Sequence, residues 1–94
     1  MSDPRFDGLK GQLNAEESEI QNIKYRIQQA LTDTQNVLGR MQSTENEFSY
    51  IQESSVSDEK SQLKSAIYRM QSVKSYLQQA LGQIASVDLP DYVE

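Results

Sequence analysis

The chain contains no cysteine, no histidine and no tryptophan. Without cysteine it has neither a disulfide framework nor a thiolate metal site. Without histidine it lacks the commonest general base and a frequent transition-metal ligand. The remaining carboxylates form no convergent pair of the kind that catalysis or metal binding requires. We therefore expect a protein that is not an enzyme and that uses no cofactor and no metal.

Long apolar runs are also missing, since no stretch approaches the roughly 20 residues of a membrane span. Residues 1–12 have neither the apolar segment nor the small-residue cleavage site of a secretory signal. We expect no membrane partner and a cytoplasmic location, with export without a leader left open. The net charge is -5, and the nine basic residues are scattered, which argues against nucleic acid as a partner.

Proline occurs only near the two ends, at Pro4 and Pro90, and apolar residues recur between them with heptad spacing. This spacing places them on one face of a helix. The sequence therefore predicts an all-α fold. In each helix, further leucine or isoleucine residues lie beside the apolar residues that recur every seventh position, and they widen the apolar stripe. The predicted packing and interface residues are Phe6, Leu9, Leu13, Ile20, Ile27, Leu31, Leu38, Met41 and Phe48, followed by Leu63, Ile67, Met70, Leu77, Leu81 and Ile84.

The heptad rhythm breaks in a serine-rich segment, which divides the single domain into two helices. We predict helix 1 at about 4–53, a turn at 54–57, helix 2 at about 58–86 and an acidic tail at 87–94. Ser55 or Ser57 is expected to cap helix 2. Gly8 and Gly11 disfavour helix near its start, so residues 4–13 are either helical or frayed.

A short turn makes the two helices antiparallel neighbours, in a hairpin that resembles a coiled coil. The expected register pairs Phe48 with Leu63, Met41 with Met70, Thr34 with Leu77, and Ile27 with Ile84. Helix 1 is longer, and its overhang is covered by the tail residues Leu89, Tyr92 and Val93, is disordered, or packs on another chain. We favour the last alternative, in which a homodimer forms a four-helix bundle.

Part of helix 1 recurs in helix 2 at a constant spacing, since Tyr25-Arg26 and Leu38-Gly39 match Tyr68-Arg69 and Leu81-Gly82. A duplicated helix would produce these matches, and so would a glutamine- and serine-rich heptad composition; both explanations stay open. We interpret Gly39 and Gly82 as small residues at helix contacts or kinks.

Glutamine dominates the outer helix positions, and charged flanking positions of the kind that select coiled-coil partners look nearly absent. Partner choice is therefore expected to depend on core shape and on polar layers such as Thr34 and Thr44. Glu16 is the one acid on the apolar stripe, and we expect it to lie where the helix frays.

The function favoured by these features is a structural or adaptor protein that acts through helix–helix contacts and self-association; the sequence does not identify its protein partner. In size, acidity, absence of cysteine and central turn, the chain is similar to the WXG100 family of small exported hairpins, which implies leaderless export as an alternative. The family's Trp-x-Gly has no counterpart in Ser54-Ser55-Val56-Ser57, so no site residues are carried over. A further alternative is an acidic inhibitor that occupies a partner's basic groove.

Overall fold

The computed structural model describes residues 4–51 and 56–90. These residues form two helices, α1 (Pro4–Ser49) and α2 (Ser57–Ala85), and no strand. The helices pack side by side as an elongated hairpin with extents of 79 × 15 × 14 Å. The predicted all-α hairpin is therefore confirmed.

Helix α1 begins at Pro4, whose fixed φ and missing N–H suit the first helical position. It runs without interruption through Gly8 and Gly11. It ends at Ser49, four residues before the expected boundary, where the amides of Tyr50 and Ile51 bond to carbonyls three residues back. These hydrogen bonds, which span three residues instead of the four of an α-helix, satisfy two of the last carbonyl oxygens of α1. The helix therefore closes its own end before the serine-rich segment.

Helix α2 follows Val56, which occupies the cap position and makes no side-chain cap hydrogen bond. The prediction of a cap at Ser57 is wrong, because Ser57 is already helical; Ser55 lies outside the described residues. Asp58 and Glu59 occupy the first turn, where the partial positive charge of the helix N-terminus favours carboxylates. The start of α2 therefore relies on charge rather than on a serine hydroxyl.

The two helices meet along a line of mostly apolar side chains, which we call the seam. Leu38 and Ile67 are its most buried members, at 5% and 7% exposure, and Thr34 is buried beside them. All other members are half-buried, which is what a single pair of helices can achieve. The seam consists of Ile27, Leu31, Thr34, Leu38, Met41 and Phe48 on α1, and Leu63, Ile67, Met70, Leu77, Leu81 and Ile84 on α2.

Contacts near the turn fix the alignment of the helices. Phe48 and Leu63 line the same depression, and the Lys60 ammonium donates a hydrogen bond to the Ile51 carbonyl oxygen at 2.5 Å. These contacts agree with the register expected from the heptads. With that alignment Ala85, the last residue of α2, lies near Arg26. The first 22 residues of α1, Pro4 to Tyr25, therefore extend beyond α2.

The chain after α2 continues in the same direction along this overhang. Leu89 is half-buried, and it lines a depression together with Asp88, Pro90 and α1 residues that include Leu13 and Asn14. The tail therefore covers part of the overhang, which was the first of the three expected arrangements. Tyr92 and Val93, the other tail residues named in that expectation, lie outside the described residues.

Candidate interaction surface

The structure buries or half-buries thirteen of the fifteen predicted packing residues, eleven in the seam and two, Leu13 and Ile20, on the overhang. The two exceptions are Phe6 and Leu9 on the overhang, which are about half exposed.

The seam uses the heptad column that contains Ile27 on α1 and Leu77 on α2. It also uses the column four positions further on, which contains Leu31 and Leu81. The column three positions further on, which also looks apolar in sequence, is left at the side of the hairpin.

Helix geometry places this third column on one broad side of the hairpin. Successive helical residues are about 100° apart, so the column lies roughly 80° from the centre of the seam. In two antiparallel helices equivalent columns fall on the same side, so both helices contribute to one surface. We call it the apolar face; its members are Leu9, Glu16, Ile23, Ala30, Val37 and Thr44 on α1, Ala66, Val73 and Ala80 on α2, and Ile51 and Val87 just after the two helices.

The large side chains of the apolar face are exposed to solvent. Ile23, Val37 and Val73 retain between 40% and 48% of their surface, and Leu9 and Val87 retain about half. By the register of the hairpin these residues stand in pairs across the two helices. Ile23 lies level with Val87 and Val37 lies level with Val73. The result is an apolar strip from Ile23 to Val37, which Glu16 separates from Leu9 and Thr44 separates from Ile51.

The opposite broad side has a different composition. It carries glutamine at successive heptad positions and is exposed throughout α1. We call it the glutamine face; its members are Gln21, Gln28, Gln35 and Gln42 on α1 and Gln71 and Gln78 on α2. The two sides of one thin hairpin therefore differ sharply in polarity, which singles out the apolar face as the surface to be covered.

A row of alternating charges borders the apolar face on α1. We call it the charged rim; it consists of Glu19, Arg26, Asp33, Arg40 and Glu47, all exposed. None of the five has an oppositely charged residue three or four positions away, so the spacing that gives ion pairs within a helix is absent. The expectation that charged flanking positions are nearly absent is therefore wrong.

The rim was not recognised in the sequence because the sequence does not show which apolar column faces the second helix. The seam uses the column four positions on, so the column three positions on is exposed, and the charged rim is the set of positions that borders it. Strict sign alternation every seventh residue was the signal present in the sequence.

The two expected polar layers differ in the structure. Thr34 is buried in the seam, and its hydroxyl donates to the Ala30 carbonyl oxygen at 2.7 Å. Thr44 is exposed on the apolar face, and its hydroxyl donates to the Arg40 carbonyl oxygen at 3.0 Å. Both hydroxyls are satisfied within their own helix, so neither leaves an unpaired donor at the surface.

The glycines of the two helices make no close contact. A methyl group built at Gly39 or Gly82 would meet no atom within 4 Å. The interpretation of these glycines as contact residues of the hairpin is therefore wrong. Glu16, expected at a frayed position, lies within the continuous helix and is exposed.

A cluster of metal-ligating side chains is not found in the part of the chain that the structure describes. Among residues 4–51 and 56–90, no group of three or more carboxylates is placed to hold a metal ion. Neither described helix is long and apolar enough to cross a membrane. The chain matches no protein-family model, no curated protein and no solved structure, so the geometry of the hairpin carries the case for its function.

Proposed function

We propose that the protein is a non-enzymatic structural or adaptor module that acts through helix–helix contacts on its apolar face, including contacts with its own kind. One observation carries this proposal: the apolar face is exposed along both helices, whereas the opposite side is covered with glutamine. Covering the exposed half of one Ile, Leu or Val side chain contributes about 1 kcal/mol. Six such residues supply several kcal/mol to association.

The arrangement of charge favours a helical partner over a basic groove. An inhibitor that mimics nucleic acid needs carboxylates concentrated on one surface, since it competes for a positive groove. On the charged rim, Arg26 and Arg40 alternate with acids. A surface with both signs at helical spacing matches another helix that carries the complementary order.

Two matched double variants test the proposal. Val37→Lys with Val73→Lys places charges on the apolar face, where both parent side chains are already about 40% exposed. Gln35→Lys with Gln78→Lys adds the same charges to the glutamine face. We expect both variants to keep the helical circular dichroism of the parent, because neither pair of lysines enters the seam.

Light scattering on the purified chains then measures association at micromolar concentration. The parent and the glutamine-face variant are expected at about twice the 10.7 kDa of one chain, and the apolar-face variant at the mass of one chain. A parent that stays monomeric at these concentrations refutes self-association. Equal association by the two variants would show that the apolar face is not the contact surface.

A further inference from the structure

We propose that the apolar face is covered by a second copy of this chain, lying antiparallel, with the two-fold axis passing between the two Ala30 residues. The proposal rests on the proposed function and adds the orientation and the register of the contact. In this arrangement α1 of one copy faces α1 of the other, and each α2 faces the other α2. Every neighbouring pair of helices in the resulting four-helix bundle is then antiparallel.

The charged rim carries the argument for this register. With the axis at Ala30, Glu19 lies opposite Arg40 of the second copy, and Arg26 lies opposite Asp33 of the second copy. Symmetry repeats each pair, so four pairs of opposite charge border the contact. Opposite charges across an interface favour one register over others more than they add affinity.

A shift by one heptad reverses this match. Arg26 then meets Arg40 of the second copy, Glu19 meets Glu47, and Asp33 meets its own equivalent. Like charges placed opposite each other oppose association. The sign alternation of the rim therefore selects the proposed register over both of its nearest alternatives.

The apolar face matches itself in the same register. Leu9 lies opposite Ile51 of the second copy, Glu16 lies opposite Thr44, and Ile23 lies opposite Val37. Val73 of α2 lies level with the segment after α2 of the second copy, which contains Val87. The small residues also coincide, because Ala30 and Ala80 each meet their own equivalents. Close approach of the helices at two alanine layers is compatible with large side chains packing on either side.

The overhang of α1 acquires a partner in this arrangement. Residues 11–49 of α1 face the same residues of the second copy, an overlap of about 58 Å. The 15 Å width of the face is shared by two helices, and α2 overlaps its equivalent over only about 16 Å. The contact therefore corresponds to roughly 560 Å² per copy, in the range of weak complexes rather than of stable ones, which bury about 800 Å² per partner. On α2 only residues 75–85 face the same residues of the second copy, so Ala66 and Val73 lie outside the overlap of the two α2 helices.

Other arrangements leave apolar surface uncovered. A shift by two heptads removes either Leu9 or Ile51 from the contact. A parallel pair of hairpins would place Arg40 opposite Arg69 of the second copy, and it would leave both overhangs projecting from the same end. Only the antiparallel register centred on Ala30 covers the α1 part of the face from Leu9 to Ile51 and also matches the charges.

Disulfide trapping tests the register directly, because the chain has no cysteine of its own. A disulfide needs Cα atoms within about 7 Å. Ala30→Cys places two thiols at the proposed axis, so mild oxidation with glutathione disulfide should yield a covalent dimer. Val37→Cys alone should yield little, because its expected neighbour is Ile23 of the second copy. An equimolar mixture of Val37→Cys and Ile23→Cys chains should yield the mixed disulfide.

Charge exchange provides a second readout. Arg26→Glu alone and Asp33→Arg alone each create like-charged pairs, and each should weaken dimerisation by about fivefold. The double variant Arg26→Glu with Asp33→Arg restores opposite charges and should return the dimer Kd to within about twofold of the parent. If the single variants weakened the dimer for a reason other than charge pairing, the double variant would not restore the Kd.

The outcomes separate the register from the proposed function. A parent that is dimeric, but that gives no Ala30→Cys disulfide and no rescue in the charge-exchange variant, overturns the register and leaves self-association standing. Preferential trapping of Val37→Cys with itself would overturn it in favour of a two-heptad shift. A parent that is monomeric overturns both the register and self-association.

Discussion

Leu38→Ala removes one of the two most buried apolar side chains of the hairpin, at 5% exposure. Leucine-to-alanine changes at buried sites lower the free energy of unfolding by about 2–5 kcal/mol, depending on how far the site collapses. The seam lies between only two helices, and most of its members are half-buried, so neighbouring side chains and water can fill part of the space. We expect a loss of about 2–3 kcal/mol.

Urea denaturation followed by circular dichroism measures this loss. A domain of this size has a free energy of unfolding of about 5–14 kcal/mol, so the change should be large and visible. In thermal melts it corresponds to a decrease in Tm of roughly 10–20 °C. The control is Gln35→Ala on the glutamine face, which should stay within about 0.5 kcal/mol. A Leu38→Ala variant as stable as this control would refute the assignment of Leu38 to the seam.

Three further changes probe the seam and the outer surface. Met41→Asp or Met70→Asp places a charge in the seam and should lower the free energy of unfolding by at least about 2 kcal/mol in urea titrations; unchanged melting would disprove the register of the hairpin. Gly39→Ala should increase the free energy of unfolding by about 1 kcal/mol and therefore raise Tm, because the new methyl group meets open space; a lower Tm would reveal an unseen contact at Gly39. Thr34→Val should be neutral or stabilising by up to about 1 kcal/mol, because the Ala30 carbonyl loses only an additional bond, and a marked loss in chemical denaturation would contradict this.

The helices and their pairing could be predicted because heptad spacing is a strong local signal. Ile27, Met41 and Leu77 repeat at intervals that only a helix places on one face, and all three lie in the seam. The ends of the helices were harder to predict. Ser57 resembles a cap in sequence, but the chain enters α2 one residue earlier, at Val56. Cap positions depend on the path of the turn, which local composition does not determine.

The apolar face and the charged rim could not be identified from the sequence alone. Two apolar columns flank the central column, and the sequence does not say which of them faces the second helix. The flank of Leu31 and Leu38 also carries Lys24 and Glu45, so apolar content alone does not favour it. In the structure these leucines lie in the seam, and the isoleucine and valine of the other flank stay exposed. The position of the rim charges relative to the exposed apolar face can be stated only once it is known which column faces the second helix.

Unequal helix lengths also have a mechanical consequence. The 46 residues of α1 form one uninterrupted helix, which spans about 69 Å and contains no internal proline that would kink it. The segment after α2 reaches the neighbourhood of Leu13, so Pro4 and Pro90 emerge at the same pole of the rod. A molecule bound at that pole would stand about 50 Å or more from one bound at the turn. The uninterrupted length of α1 would keep two such molecules apart.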